Sequence, residues 1–67
     1  MPFVNIRITK ENVTSKQKAQ LIEGVTEVLQ KVLNKNRATT FVIIDEVETD
    51  NWGIAGKQVS EMRNQEK

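Results

Sequence analysis

The chain has 67 residues, enough for at most one small domain, and 37% of them are apolar. The sequence has ten Lys and Arg and nine Asp and Glu residues. The resulting net charge of +1 gives no electrostatic case for binding nucleic acid or an anionic membrane. The sequence contains no Cys and no His, which excludes disulfides and thiolate metal sites and removes the commonest general base. We therefore expect neither a metal nor a cofactor.

Assembly and location follow from the same composition. Ordering a chain of this size costs on the order of 100 kcal/mol, and a lone chain cannot bury all of its apolar side chains to offset that cost. Without disulfides or metal ions, association of several chains is the remaining source of stability, so we expect a homo-oligomer. The sequence shows no apolar run approaching the ~20 residues of a membrane span and no signal-peptide pattern, which favours a cytoplasmic location.

The first predicted strand covers residues 3–8, where apolar and mixed side chains alternate. One face carries only aliphatic side chains, and the other carries Phe3 beside Asn5 and Arg7. An aromatic residue on this second face indicates that the face is at least partly covered. Pro2 precedes the strand, and the first residue of a strand is one of the few strand positions that tolerate proline.

A helix is predicted behind the sequence TSKQ. This sequence matches the S/T-x-x-E/Q capping box, with Thr14 as the N-cap and Gln17 at the third helical position. Apolar side chains then recur on one stripe of a 3.6-residue helix. They are Leu21, Ile22, Val25, Val28, Leu29, Val32 and Leu33. Gly24 predicts close packing against a strand or another helix, and Asn34 or Asn36 predicts a left-handed helix end.

A second strand is predicted over residues 40–47, where four consecutive apolar residues indicate burial on both faces. Strand, helix and strand form a β-α-β unit, whose parallel crossover is expected to be right-handed. The fold class is therefore α+β, built on this single β-α-β unit. One domain over residues 1–67 is expected to assemble as an oligomer.

The last part of the chain predicts a short C-terminal hairpin, because Gly53 and Gly56 stand among apolar residues. Trp52 precedes them, and we expect it to pack on another subunit or to form the wall of a pocket. The polar tail is expected to fray from Gln58 onward and to be disordered after about residue 63.

Few residues offer catalytic chemistry. Ser15 and Ser60 have no histidine to act as their base. Asp45 and Glu46 are adjacent in a strand, point to opposite faces, and are best interpreted as a solvated strand end. Removal of the initiator methionine would give Pro2 a free amine. A chain-terminal amine titrates near ~8 in water, and its pKa falls toward neutrality on burial, which suits taking and returning a proton. Opening the strand remains the alternative role of Pro2.

Four segments together resemble the 4-oxalocrotonate tautomerase family: MPFVNIRI, the QKxxLIxxV pattern from Gln17 to Val25, VIIDEV and NWGIAG. The resemblance covers residues 2 to about 63. It implies removal of the methionine, a general-base role for the nitrogen of Pro2, and a hexamer, a trimer of dimers whose pockets combine several subunits. The implied reaction is keto–enol 1,3-proton transfer on a 2-hydroxy-dienoate such as 2-hydroxymuconate, or on an enolpyruvate-like acid, as in the breakdown of aromatic compounds.

The resemblance also implies residues that bind the substrate. Trp52 matches the family's pocket aromatic residue, and Arg63 matches an arginine near the family's C-terminus. Two further family arginines are missing. The first would stand near Val13, and Phe41 occupies the position of the second. These arginines bind a dicarboxylate in the family, so another cation is expected to replace them.

Arg37, four residues before Phe41, is the candidate replacement, with a surface loop charge as the alternative interpretation. Arg7 and Lys10 rank behind it. Two other functions stay open on the same fold. One is a Pro2-dependent hydratase, dehalogenase or imine-forming activity, and the other is a non-catalytic oligomeric binding protein or scaffold.

Overall fold

The computed structural model describes residues 1–65, and its main body is the predicted β-α-β unit. β1 (Phe3–Thr9) leads into α1 (Ser15–Leu33), which returns the chain to β2 (Phe41–Val47). The two strands pair in parallel over their full length. The strand bounds differ by one residue from the predicted ones, and the predicted order of elements is confirmed.

The ends of α1 form as the sequence predicts. The backbone N–H of Gln17 donates to the Thr14 hydroxyl at 3.1 Å, and the Thr14 N–H donates to the Gln17 side-chain oxygen at 2.9 Å. These reciprocal bonds satisfy two donors that a helix start leaves without partners. At the other end, Asn34 adopts a left-handed conformation with φ 56°, so the predicted helix stop is confirmed.

The sheet has one covered and one open face, because a single helix can cover only one side of two strands. α1 packs over the covered face and ties to it through an ion pair between Lys18 and Glu46. The other side, which we call the open face, leaves Phe3 and Phe41 62% and 51% exposed. Its paired residues are Phe3 with Phe41, Asn5 with Ile43 and Arg7 with Asp45. The expected burial of β2 on both faces, and the covered second face of β1, are therefore not found within one chain.

A hairpin and a second helix follow β2. β3 (Gly53–Ile54) and β4 (Lys57–Gln58) pair antiparallel across a turn with positive φ at Ala55 and Gly56, as a two-residue hairpin requires. The structure then differs from the expected fraying, since α2 (Val59–Gln65) forms.

α2 is held in place at its first residue. Val59 is nearly fully buried, and its N–H donates to the carbonyl of Trp52 at 2.8 Å. This anchoring is a tertiary contact that polar composition alone does not show. The part of the predicted disorder that concerns residues 66–67 lies outside the described residues.

The interior of the chain is shallow. Within residues 1–63, only Val59 and Thr26 are nearly fully buried, and the molecule measures 45 × 24 × 15 Å. Around Gly24, an added Cβ would meet no atom within 4 Å, so the close packing expected there does not occur within the chain. Much of the apolar surface of α1 is instead exposed, as at Val32 and Leu33. No helix in the described part of the chain is long and apolar enough to cross a membrane.

Candidate functional site

Pro2 lies immediately before β1 and is half-buried. Its carbonyl accepts a hydrogen bond from the backbone N–H of Phe41 at 2.9 Å, which places it beside the start of β2. The ladder therefore uses the carbonyl of Pro2 and requires nothing of its nitrogen. The strand-opening role and a chemical role for the nitrogen are thus compatible.

The amino ends of β1 and β2 meet at one edge of the sheet, since the strands are parallel. We call the group of Pro2, Phe41 and Arg37 at this edge the amino-edge cluster. Phe41 directs its ring to the open face, and Arg37 lies in the 3₁₀ turn that leads into β2.

The guanidinium of Arg37 already has a partner within the chain. Its Nη2 lies 2.7 Å from both carboxylate oxygens of Glu23 on α1, and its Nη1 lies 3.4 Å from the side-chain oxygen of Gln30. These contacts fix the turn before β2 to the helix. In the isolated chain, Arg37 thus stabilises the packing of this turn against α1.

Trp52 lies at the opposite edge of the sheet, where the strands end. It is half-buried and held by its backbone, which caps the 3₁₀ turn before it and accepts from Val59. Trp52 lines part of a shallow depression on the molecule. The other residues lining it are Arg7, Val47, Asn51 and Gly53. The predicted pocket-wall position of Trp52 therefore has a concave surface next to it.

Arg63 also lies at this edge and projects from α2 onto the loop after β1. It forms an ion pair with Glu11, which also accepts a hydrogen bond from the Thr9 hydroxyl at 2.6 Å. These two partners, the Thr9 hydroxyl first and Arg63 second, hold the pKa of Glu11 below its ordinary value of 4.5. Like Arg37, Arg63 meets a carboxylate of its own chain.

The candidate residues thus form two separate groups. Pro2 belongs to the amino-edge cluster, whereas Trp52 and Arg63 form a carboxyl-edge group. Arg7, which lines the Trp52 depression, stands five residues beyond Pro2 along β1, about 16 Å away at the rise of an extended chain. One chain does not bring the proline and the tryptophan into a single site.

The two acidic residues of β2 face opposite ways, as predicted. Asp45 accepts from the Asn5 amide at 2.8 Å on the open face, and Glu46 pairs with Lys18 of α1 on the covered face. Both are half-buried and have partners, so they are not simply a solvated strand end. They do not form a catalytic carboxylate pair.

Comparison with known proteins identifies the class. The Tautomerase family model, described as tautomerase enzyme, matches residues 2–62. A probable tautomerase K2 of Dickeya dadantii is 69% identical over 65 residues, covering 97% of each protein. A 2-hydroxymuconate tautomerase of Bacillus subtilis is 34% identical and covers 92% of this chain and 98% of its own. The crystal structure of DmpI from Helicobacter pylori superposes with a TM-score of 0.87 at 51% identity, covering 94% and 97%.

The chain therefore belongs to the tautomerase family and is an isomerase of that class. Within this family it falls in the 4-oxalocrotonate tautomerase group, so the resemblance seen in its motifs is confirmed. The fold class is confirmed by the same structural similarity.

Proposed function

We propose that the chain catalyses keto–enol 1,3-proton transfer on a 2-hydroxy-dienoate or enolpyruvate-like carboxylic acid, using the amine of Pro2. Removal of Met1 frees this amine. In the neutral form it takes the enol hydroxyl proton while the electron pair moves through the conjugated system. The resulting ammonium returns a proton to a carbon of that system and leaves a 2-oxo acid. The overall change needs no cofactor, because one amine serves as base and then as acid.

The position of Pro2 is the observation that carries the proposal. Its carbonyl, and not its nitrogen, takes part in the strand ladder, so removal of Met1 would leave a free amine at the end of the strand. Phe41, whose backbone N–H donates to the Pro2 carbonyl, puts an apolar residue at the position of a family arginine. An apolar neighbour disfavours a charged amine and so favours the neutral form that accepts a proton.

The pocket is proposed to combine residues of several subunits in a homohexamer, a trimer of dimers. The separation of Pro2 from Trp52 supports this, since the two can share a site only when they come from different chains. The shallow interior supports it independently, because a domain without a deep core must bury apolar surface against partners. Trp52 is proposed as the pocket wall, with Arg63 and Arg37 at its margins. The assembled enzyme is proposed to act in the cytoplasm.

The test is a ketonisation assay of an aryl enolpyruvate with wild type and Pro2→Ala, followed by ultraviolet absorbance. Alanine keeps a terminal amine but removes the ring that aims it, so we expect kcat to fall about tenfold or more. Lys16→Gln, which removes an exposed helix charge, is the matched control and should retain wild-type rates. Equal rates in wild type and Pro2→Ala would contradict the assignment. A wild type without ketonisation activity would favour a binding protein or a hydratase-type relative.

A further inference from the structure

The three arginines of the sequence differ in how firmly the chain holds them. Arg37 lies 2.7 Å from both oxygens of Glu23, and Arg63 is paired with Glu11. A guanidinium that already binds a carboxylate must break that pair before it can bind another one. Two of the three arginines therefore carry an intramolecular competitor for any carboxylate ligand.

Arg7 is held much more loosely. Its nearest carboxylate oxygen belongs to Asp45 and lies 3.6 Å away, beyond hydrogen-bond distance. That same oxygen already accepts a hydrogen bond from Asn5 at 2.8 Å. The Arg7 side chain is 65% exposed, and within residues 1–63 the structure shows no hydrogen bond from it. Its guanidinium donors are therefore available to a ligand.

Arg7 also lies next to an aromatic residue that could contact a conjugated ligand. It shares the depression at the end of the sheet with Trp52, whose indole offers a flat apolar surface. A planar conjugated acid needs such a surface for its carbon chain and a forked cation for its carboxylate. Asn51, in the same depression, adds a polar side chain at its margin.

We propose that Arg7 binds the carboxylate of the substrate while Trp52 contacts its conjugated chain. The proposal deepens the proposed function, on which it rests for the class of ligand, and it supplies the cation that replaces the missing family arginines. One forked cation fits one carboxylate. The preferred substrate class is therefore a planar, conjugated 2-hydroxy acid with a single carboxylate next to the reacting enol.

Asp45 is expected to tune the affinity of Arg7 for a carboxylate. Its carboxylate, 3.6 Å from the guanidinium, partly offsets the positive charge of Arg7, while its hydrogen bond with Asn5 keeps it in place. Replacing it with the neutral amide should leave the acceptor for Asn5 and remove the offset. Arg7 and Asp45 variants should therefore shift carboxylate affinity in opposite directions, which general damage to the fold would not do.

The test uses the fluorescence of Trp52, the only tryptophan in the sequence. Sorbate, a conjugated monocarboxylate that does not tautomerise, is titrated against the native oligomer, with methyl sorbate as the uncharged match. Arg7→Gln should raise the Kd of sorbate about tenfold, as loss of a charged hydrogen bond does, and leave that of the ester unchanged. Arg7→Lys should recover part of the affinity. Asp45→Asn should lower the Kd of sorbate two- to threefold, because that is about the effect of removing one exposed charge pair.

Controls separate this proposal from the proposed function. Lys16→Gln should bind sorbate as wild type does. Three results would each overturn the role of Arg7. Sorbate binding could be unchanged in Arg7→Gln, or it could be lost in Arg37→Gln or Arg63→Gln instead. Sorbate could also fail to quench the Trp52 fluorescence of wild type in a saturable way. Sorbate binding that depends on Arg7 in a protein without ketonisation activity would keep this inference and reject the proposed function. Ketonisation by wild type with an unchanged kcat/KM in Arg7→Gln would keep the proposed function and reject the role of Arg7.

Discussion

The separation of Pro2 from Trp52 predicts that two defective variants restore each other. Pro2→Ala removes the ring that aligns the amine, and Trp52→Ala removes the proposed pocket wall, so each variant alone should have low kcat/KM. In one chain, Pro2 lies about 16 Å along β1 from Arg7, which lines the same depression as Trp52. The proposed site would therefore take its proline from one subunit and its tryptophan from another.

Random mixing fixes the expected magnitude. When the variants are unfolded together and refolded at equal concentrations, each position of a shared site has an even chance of carrying the intact residue. About one quarter of sites should then combine both intact residues, provided that the assembly is a symmetric homo-oligomer. The mixture should recover about a quarter of wild-type kcat/KM, measured by enol ketonisation at low substrate concentration.

A site formed within one chain would give a different result in the mixing experiment. If Pro2 and Trp52 of the same chain formed one site, no mixed oligomer would contain an intact site, and activity would stay at the average of the two variants. Wild type refolded by the same procedure is the control for recovery. A mixture no more active than its parents, with subunit exchange confirmed by mass spectrometry, would refute the shared pocket.

Three further predictions concern stability and are measured by urea unfolding at one fixed protein concentration. Thr14→Ala should lower the free energy of unfolding by about 1 kcal/mol, because it removes the capping box, while Thr14→Ser should not; equal values for all three would contradict the cap's role. Ala55→Gly should raise it by about 0.5–1 kcal/mol, because alanine is strained at φ 53°; a loss would show that the turn is not strained. Glu11→Gln should lower stability at neutral pH. Since the folded-state pKa of Glu11 is lowered, wild type should lose this advantage as pH falls below 4.5 and through that lowered pKa; a gap that persists in acid would contradict it.

Local signals explain how much of the fold the sequence predicts. The capping box at Thr14 and the left-handed end at Asn34 depend on residues within one helical turn, and both form as expected. The hairpin is equally local, since Gly56 supplies one of its positive φ angles. By contrast, α2 depends on the anchoring of Val59 against Trp52, a tertiary contact that composition does not reveal.

The candidate site is predictable only in part, for a different reason. Motifs single out Pro2 and Trp52, but they do not show that the two lie at opposite edges of one sheet. Arg37 stands close to Phe41 in sequence, yet its bond to Glu23 depends on how the turn packs against α1. Arg7 looks like an ordinary solvent-facing strand residue until the hairpin brings Trp52 beside it. Partner choice among charged side chains is a tertiary property.

The most direct test of the central claim targets the amine. The chain is prepared once with Met1 removed and once with Met1 retained, and intact mass establishes each form. Residues 2–67 are identical in the two forms, but retention adds Met1 and converts the secondary amine of Pro2 into an amide that cannot accept a proton. We predict that kcat for enol ketonisation falls about a hundredfold or more in the retained form, the usual contribution of a general acid–base group. Equal kcat in the two forms would contradict the account.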